Sequence, residues 1–220
     1  MPIISKKTSS NKFGLSKEDY STLRKLNTPQ KIQNYLDILP INFEENGETY
    51  MSVARSLREK KVHCLEAALI AACALLINGA KPLLMDFKTQ NDEDHVVALF
   101  KINNHWGAIS KTNHAVLRYR DPIYKTLREL ALSYFHEYTN NIAGGKKTLR
   151  SYSTPLNLLQ YKNLDWVNGE EDLHYIAEDI DEIKHFELIK KEMIRGLRNA
   201  TNFERKVIDG NTEWANPKIK

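Results

Sequence analysis

Residues 64–79 read CLEAALIAACALLING, and this stretch decides the fold. The segment Leu65–Ile77 is apolar almost all the way round, which predicts a helix that is buried on most of its faces. Asn78-Gly79 is typical of a helix C-terminus, because both residues accept the left-handed backbone conformation that ends a helix. We therefore expect one central buried helix, with Cys64 at its start.

The sequence after this helix predicts a sheet built around a hairpin. Leu83–Phe87 and Val96–Ile102 are typical of strands, and Asn103-Asn104 of a tight turn. Trp106–Ile109 is then the returning strand of the hairpin. A further short strand is expected at Val116–Tyr119.

Other helices are expected on both sides of this core. Before it, Ser16, Thr28 and Ser52 each have the position of an N-cap. After it, Asp121-Pro122 is expected to open an amphipathic helix, with Asp121 as the N-cap. The predicted organisation is, in order, a disordered leader (1–14), an α+β domain (15–168), a C-terminal helical extension (169–198) and a loose tail (199–220).

Composition excludes several classes of function. The net charge is +4, but lysine and arginine are scattered rather than gathered with aromatic residues, which argues against nucleic-acid binding. No apolar run approaches the ~20 residues of a membrane span, and the first residues do not resemble a secretory signal. Cys64 and Cys73 lie ~13 Å apart along one helix, too far for a disulfide. Free thiols and the lack of a signal favour the cytoplasm.

Cys64 is the residue best placed for chemistry. The N-terminus of a helix favours an anion, so a cysteine there is more readily ionised to the nucleophilic thiolate. Cys73 lies in the middle of the same helix among apolar residues and is expected to be inert. The alternative for Cys64 is an ordinary core cysteine.

His95 is the candidate partner of this thiol. It follows the acidic loop Asn91–Asp94 and opens the second strand, where it could face the helix N-terminus and take a proton. The alternative is a surface histidine in a polar loop. The other histidines show no ligand spacing with Cys64, so neither a zinc site nor any other metal site is expected.

The order of these residues resembles a known family. Cys64 at a helix start, Gly79-x-x-Pro82 before a strand, His95 opening the next strand and Trp106 on the hairpin return together resemble the transglutaminase-like core. That superfamily shares its arrangement of helix and sheet with papain-like cysteine peptidases. The resemblance covers residues 28–120 approximately. It implies an α+β fold in which a buried cysteine-bearing helix packs on an antiparallel sheet, with N- and C-terminal helices added.

The resemblance also implies catalytic roles. Cys64 is similar to the family's nucleophile and His95 to its general base. The family usually places an acid a few residues after the tryptophan, whereas here Trp106 leads to Ser110 without a carboxylate. Asn113 is our preferred third catalytic residue, because asparagine orients the histidine of papain-like enzymes. Ser110 and Asp121 remain alternatives.

The expected function is cysteine-dependent acyl transfer through a thioester on Cys64, by a peptidase, an amidase or a transglutaminase-like enzyme. The expected substrate is a peptide, another amide or a protein, and no cofactor, nucleic acid or membrane is expected to take part. The alternative is a catalytically inactive binding module with the same fold, which docks a partner on Glu171–Leu197.

Overall fold

The computed structural model describes residues 13–45, 47–140 and 144–209. Within these ranges the chain forms a mixed α/β fold with a mostly antiparallel sheet. Most of the expected leader and residues 210–220 of the expected tail lie outside the described residues. None of the described helices is long and apolar enough to cross a membrane.

The helices begin where the sequence supplies caps. Ser16, Thr28 and Ser52 each accept a backbone N–H of the first turn, as their positions predict. The helices are α1 (Lys17–Lys25), α2 (Pro29–Asp37), α3 (Val53–Glu59), α4 (Cys64–Ile77), α5 (Leu127–Leu132), α6 (Asp165–Asn168), α7 (His174–Glu182), α8 (Lys191–Ile194) and α9 (Asn202–Asp209).

The main sheet has the order β4-β3-β2-β1-β7-β9, with β8 also paired to β1, and β5 and β6 form a separate ribbon. The strands are β1 (Leu83–Thr89), β2 (His95–Ile102), β3 (His105–Ile109), β4 (Arg120–Tyr124), β5 (Thr139–Asn140), β6 (Lys146–Lys147), β7 (Leu149–Ser153), β8 (Leu156–Asn157) and β9 (His185–Glu187).

The sheet is covered on both faces, which explains why six consecutive residues of β2, 95–100, are buried. Val96, Ala98 and Phe100 join the core that contains α4. Val97 and Leu99 join a second core that contains α5. Alternate residues of a strand point to opposite faces, so a strand between two cores is apolar throughout.

The β2–β3 hairpin forms where the sequence predicts it. Asn103 and Asn104 both have positive φ, of 48° and 62°, the conformation that a two-residue hairpin turn requires. The register pairs Ala98 with Ile109. Continued by one step, it places Ser110 opposite Val97 and diagonal to His95, so both side chains lie on one face.

Two predictions around residue 120 are wrong. Residues 116–119 form no strand, and Asp121-Pro122 lies inside the strand β4 instead of opening a helix. β4 is at an edge of the sheet, where proline removes no needed donor. Helix α5 begins later because Thr126 and Glu129 form a capping box that satisfies its first turn.

The segment 169–198 is helical only in part. Helix α7 ends at Glu182, since Ile183 has an extended backbone, and β9 then pairs with β7 at the second edge of the sheet. The ring of Phe186 packs 5.7 Å from that of Tyr152. The expected loose tail also contains α9. The C-terminal segment therefore contributes an edge strand to the sheet as well as helices.

Candidate functional site

Cys64 occupies the first position of α4, and His63 is the N-cap. The Leu65 N–H donates to Nδ1 of His63 at 3.1 Å, and the His63 backbone N–H donates to the Glu66 carboxylate at 3.0 Å. This capping box holds the first turn in place. The thiol is therefore fixed at the positive end of a fourteen-residue helix dipole.

Glu66 is a fully buried carboxylate two residues after Cys64 in the first turn of α4. Besides the His63 N–H, it accepts hydrogen bonds from the Thr49 hydroxyl at 3.0 Å and from the Met51 N–H at 3.3 Å. The Asn42 amide contributes a longer contact of 3.3 Å. A buried charge is tolerated when its lone pairs are used in this way. Glu66 thus ties the segment 42–51 to the start of α4.

The fold brings the Cys64 thiol and the His95 imidazole together. Burial alone would raise the pKa of the thiol, but hydrogen bonds from the side chains of His63 and His95, together with their charges, hold its pKa well below the usual value. Burial raises the pKa of the Cys73 thiol, which no such partner offsets. Cys64 is half-buried and Cys73 fully buried, so one thiol is activated and reachable and the other is neither.

Ser110 is the residue that holds His95. Its Oγ lies 2.5 Å from Nε2 of His95 and donates to the Leu117 carbonyl at 2.9 Å. Since a carbonyl only accepts, the single hydroxyl proton goes to Leu117 and Nε2–H of His95 donates to Ser110. This assignment leaves Nδ1 of His95 as the nitrogen for the thiol.

Gln33 holds Ser110 in turn. Its amide donates to the Ser110 carbonyl at 2.9 Å and accepts from the Ser110 N–H at 3.1 Å, and all of these atoms are buried. The two bonds take the place of the backbone bonds that a neighbouring strand would make to Ser110, just after the end of β3. Helix α2 therefore fixes the position of the hydroxyl that orients His95.

The other two candidates for the third catalytic residue lie elsewhere. Asn113 lines the same cavity as Cys64, but the hydrogen bond described for its side chain comes from Thr112, at 3.5 Å. Asp121 is exposed on β4. The structure thus gives Ser110 the place beside the imidazole that we had expected for Asn113.

His63 is a second imidazole beside the thiol. Its Nε2 lies 2.6 Å from the Thr49 carbonyl and 3.5 Å from Glu44. Burial lowers the pKa of His63, but the Cys64 thiolate, Glu66 and the Thr49 carbonyl raise it to about 10. The charged form of His63 would give up the Leu65 bond, because Nδ1 accepts the Leu65 N–H only while it carries no proton. Protonation of His63 and ionisation of Cys64 are coupled, because His63 takes up its second proton as the thiol loses its own.

Cys64, His63 and His95 open on a cavity of about 620 Å³. Its wall is formed by residues of the segments 41–50, 86–96, 111–117, 137–139 and 177–181. This volume is in the range of small-molecule sites. In the part of the chain that the structure describes, no group of three or more His, Cys, Asp or Glu side chains could hold a metal ion.

The sequence did not reveal the roles of Gln33, His63 and Glu66, and it gave Ser110 only as an alternative to Asn113. The capping-box spacing of His63 and Glu66 was a usable signal, although histidine is an uncommon N-cap. Gln33 left no signal, because its role depends on a contact across 77 positions of the chain.

Comparison with models of known protein families gave no match, and comparison with curated proteins gave none either.

Proposed function

We propose that the protein is a cysteine-dependent acyl-transfer enzyme that cleaves amides through a thioester on Cys64. One observation carries the proposal: the half-buried thiol at the N-terminus of α4 and the His95 imidazole line the same cavity, and His95 is among the groups that lower the pKa of the thiol. A nucleophile paired with a base that is itself oriented by a third group is the usual arrangement of such enzymes.

The chemistry follows from the assigned protons. The thiolate of Cys64 attacks the amide carbonyl, and a proton held at Nδ1 of His95 passes to the departing amine as the C–N bond breaks. Water then attacks the thioester, giving its proton to Nδ1, and the carboxylic acid leaves as the C–S bond breaks. Ser110 keeps Nε2 protonated throughout. N-terminal N–H groups of α4, such as that of Cys64, can donate to the oxyanion.

The chain order supports a transglutaminase-like or papain-like core as the finer description of the fold. A cysteine at a helix start, a histidine at the start of a following strand and an orienting residue just after the next strand occur in the order that the resemblance implies. The difference is chemical, because a hydroxyl stands where the family usually has a carboxylate or an amide.

That difference favours a second candidate, a binding module without catalysis. A hydroxyl stabilises an imidazolium less than a carboxylate does, so proton transfer could be too weak for turnover. In this case the cavity would still bind a ligand, and the thiol would form no thioester.

Alkylation and acylation of the native protein test the proposal. Cys64 should react with iodoacetamide well below pH ~8.5, where an ordinary thiol titrates, and Cys73 should not react. p-Nitrophenyl acetate should give a burst of p-nitrophenol and an acetylated Cys64 peptide by mass spectrometry. The His95→Ala variant should lose both properties, and His136→Ala, which removes an exposed histidine, should keep them.

A Cys64 that reacts no faster than N-acetylcysteine at every pH would sink the proposal. A reactive Cys64 that never forms an acyl-enzyme would select the binding module instead.

A further inference from the structure

Asp37, the last residue of α2, bonds to two groups that lead to the site. Its Oδ1 accepts from Nε2 of Gln33 at 2.9 Å and from Nη1 of Arg118 at 2.9 Å. The side chain of Asp37 is 39% exposed and that of Arg118 is 22% exposed, whereas Gln33 is buried. One carboxylate near the surface therefore joins two separate connections into the interior.

The first connection runs through Gln33 to the Ser110 backbone. The amide nitrogen of Gln33 donates to Asp37 and to the Ser110 carbonyl, and the amide oxygen accepts from the Ser110 N–H. Both hydrogens and the oxygen of the amide are thus used, so the amide cannot turn over without losing bonds. Asp37 therefore helps to fix the orientation of the amide that holds Ser110.

The second connection runs through the Arg118 guanidinium. Besides Asp37, it donates to the carbonyl of His114 at 2.8 Å and to that of Thr112 at 3.0 Å. Arg118 therefore fastens the chain between β3 and β4 to the end of α2.

Leu117, next to Arg118, has a strained backbone. Its φ is 60°, a conformation that is costly for a bulky residue and persists only where the surrounding contacts impose it. The Leu117 N–H donates to Glu137 at 2.7 Å, and the Leu117 carbonyl accepts the Ser110 hydroxyl. Because this carbonyl takes the only proton of the hydroxyl, it leaves Ser110 to accept from Nε2 of His95.

We propose that Asp37 is a positioning residue, which determines through its two connections where the Ser110 hydroxyl meets the His95 imidazole. The Gln33 connection places the Ser110 backbone, and the Arg118 connection places the carbonyl that takes the hydroxyl proton. Asp37 acts through these neighbours and not on the reacting atoms. Its effect on turnover rests on the proposed function, whereas its effect on the His95 ring does not.

Nitrogen NMR of the histidine rings tests the position of His95 without requiring turnover. At alkaline pH, where a histidine ring carries one proton, His95 should be the Nε2–H tautomer in the native protein, and His95→Ala identifies its signals. Asp37→Ala should shift these signals toward a mixture of both tautomers. Asp37→Asn should preserve them, since its amide oxygen has two lone pairs and can accept both bonds. Unchanged signals in Asp37→Ala overturn the inference.

Arg118→Gln tests the second connection separately. It removes the bonds to the Thr112 and His114 carbonyls and leaves the Gln33 connection in place. The His95 signals should move in the same direction as in Asp37→Ala. Unchanged signals in this variant overturn the part assigned to Arg118.

The burst of p-nitrophenol measures the consequence for the site. Asp37→Ala should slow acylation of Cys64 by about tenfold, as expected when a reacting group is misplaced, and Asp37→Asn should restore most of the rate. In the Ser110→Ala background, Asp37→Ala should cause no further loss, because the group on which Asp37 acts is already absent. Equal losses with and without Ser110 overturn the inference.

Glu170→Ala is the matched control. It breaks an ion pair with Arg58 that also joins distant parts of the sequence, outside the cavity wall that the described residues form. The His95 signals and the acylation rate should stay native in this variant, and losses equal to those of Asp37→Ala overturn the inference. No acylation in the native protein, with the tautomer shift of Asp37→Ala present, would reject the proposed enzyme but not the positioning role.

Discussion

Ser110 has a larger role than its small side chain suggests. Its hydroxyl accepts from His95 and donates to the Leu117 carbonyl, so both of these buried groups depend on it. Alanine at this position would leave a donor and an acceptor unpaired, and the imidazole would be free to turn away from the thiol.

We expect Ser110→Ala to lower the free energy of unfolding by about 1–3 kcal/mol and to slow acylation of Cys64 by about 10–100-fold, as expected when a general base loses its position. Urea denaturation and the burst of p-nitrophenol measure the two effects. Ser56→Ala is the matched control, because Ser56 is equally buried but its hydroxyl has no partner. Equal losses in both variants would contradict the role of Ser110.

At this scale the sequence identifies the thiol and the imidazole better than the residues that support them. Cys64 and His95 stand out because a helix start and a strand start are visible in the local pattern. The choice between Ser110 and Asn113 is not visible, because it depends on how the chain leaves β3. The Gln33 amide decides that path from a helix far away in sequence.

The N-terminus of α4 combines a structural cap with a thiol whose pKa is lowered. Glu66 closes the capping box, and the residues it binds come from the segment before the helix. Glu129 has the same position in the capping box of α5 but lies on the surface. The two carboxylates therefore make the same local bonds in different surroundings.

We expect Glu66→Ala to cost about 3 kcal/mol or more, since several buried donors lose a charged acceptor, and Glu129→Ala to cost about 0.5–1 kcal/mol, as for an exposed cap. Thermal and urea denaturation of the two variants provide the comparison. Similar small losses in both would mean that the Glu66 bonds contribute little to stability.

Most elements could be predicted, and the error at Asp121-Pro122 has a clear cause. Caps, the apolar helix and the Asn103-Asn104 turn are local signals, and α1 to α4 and β1 to β3 follow them. Asp121-Pro122 is equally suited to a helix start and to an edge strand. Only the position of β4 at the edge of the sheet selects the strand, and that position depends on the whole fold.

Asp172 connects distant parts of the molecule. Its carboxylate accepts from the Tyr50 N–H at 3.1 Å and pairs with Arg55 at 2.9 Å, and the Leu173 N–H bonds to the Tyr50 carbonyl. Burial alone would raise the pKa of Asp172, but the Tyr50 N–H and Arg55 outweigh it and lower its pKa. These bonds fasten the start of α7 to the segment that precedes α3.

The lowered pKa of Asp172 determines how its contribution to stability changes with pH. The folded state binds this proton less tightly than the unfolded chain, so the carboxylate stabilises the fold above pH ~4 and loses that effect as the pH falls through its folded pKa. Asp172→Asn should therefore cost about 1 kcal/mol at pH 7 and progressively less as the pH falls below ~4.

Urea denaturation at several pH values checks this expectation. Glu170→Gln removes the neighbouring carboxylate, whose pair with Arg58 is fully exposed, and should change stability little at any pH. A deficit of Asp172→Asn that stays constant down to pH 2 would contradict the assignment.

The pairing of β9 with β7 has a consequence for how the chain folds during synthesis. Contacts between β1, β2 and β3 join neighbouring parts of the sequence, so this hairpin unit can assemble early during synthesis. The free side of β7 stays open until residues 185–187 have left the ribosome. A nascent chain that pauses before that point presents an unpaired strand edge to other chains, and chaperones that shield such edges would act in this interval.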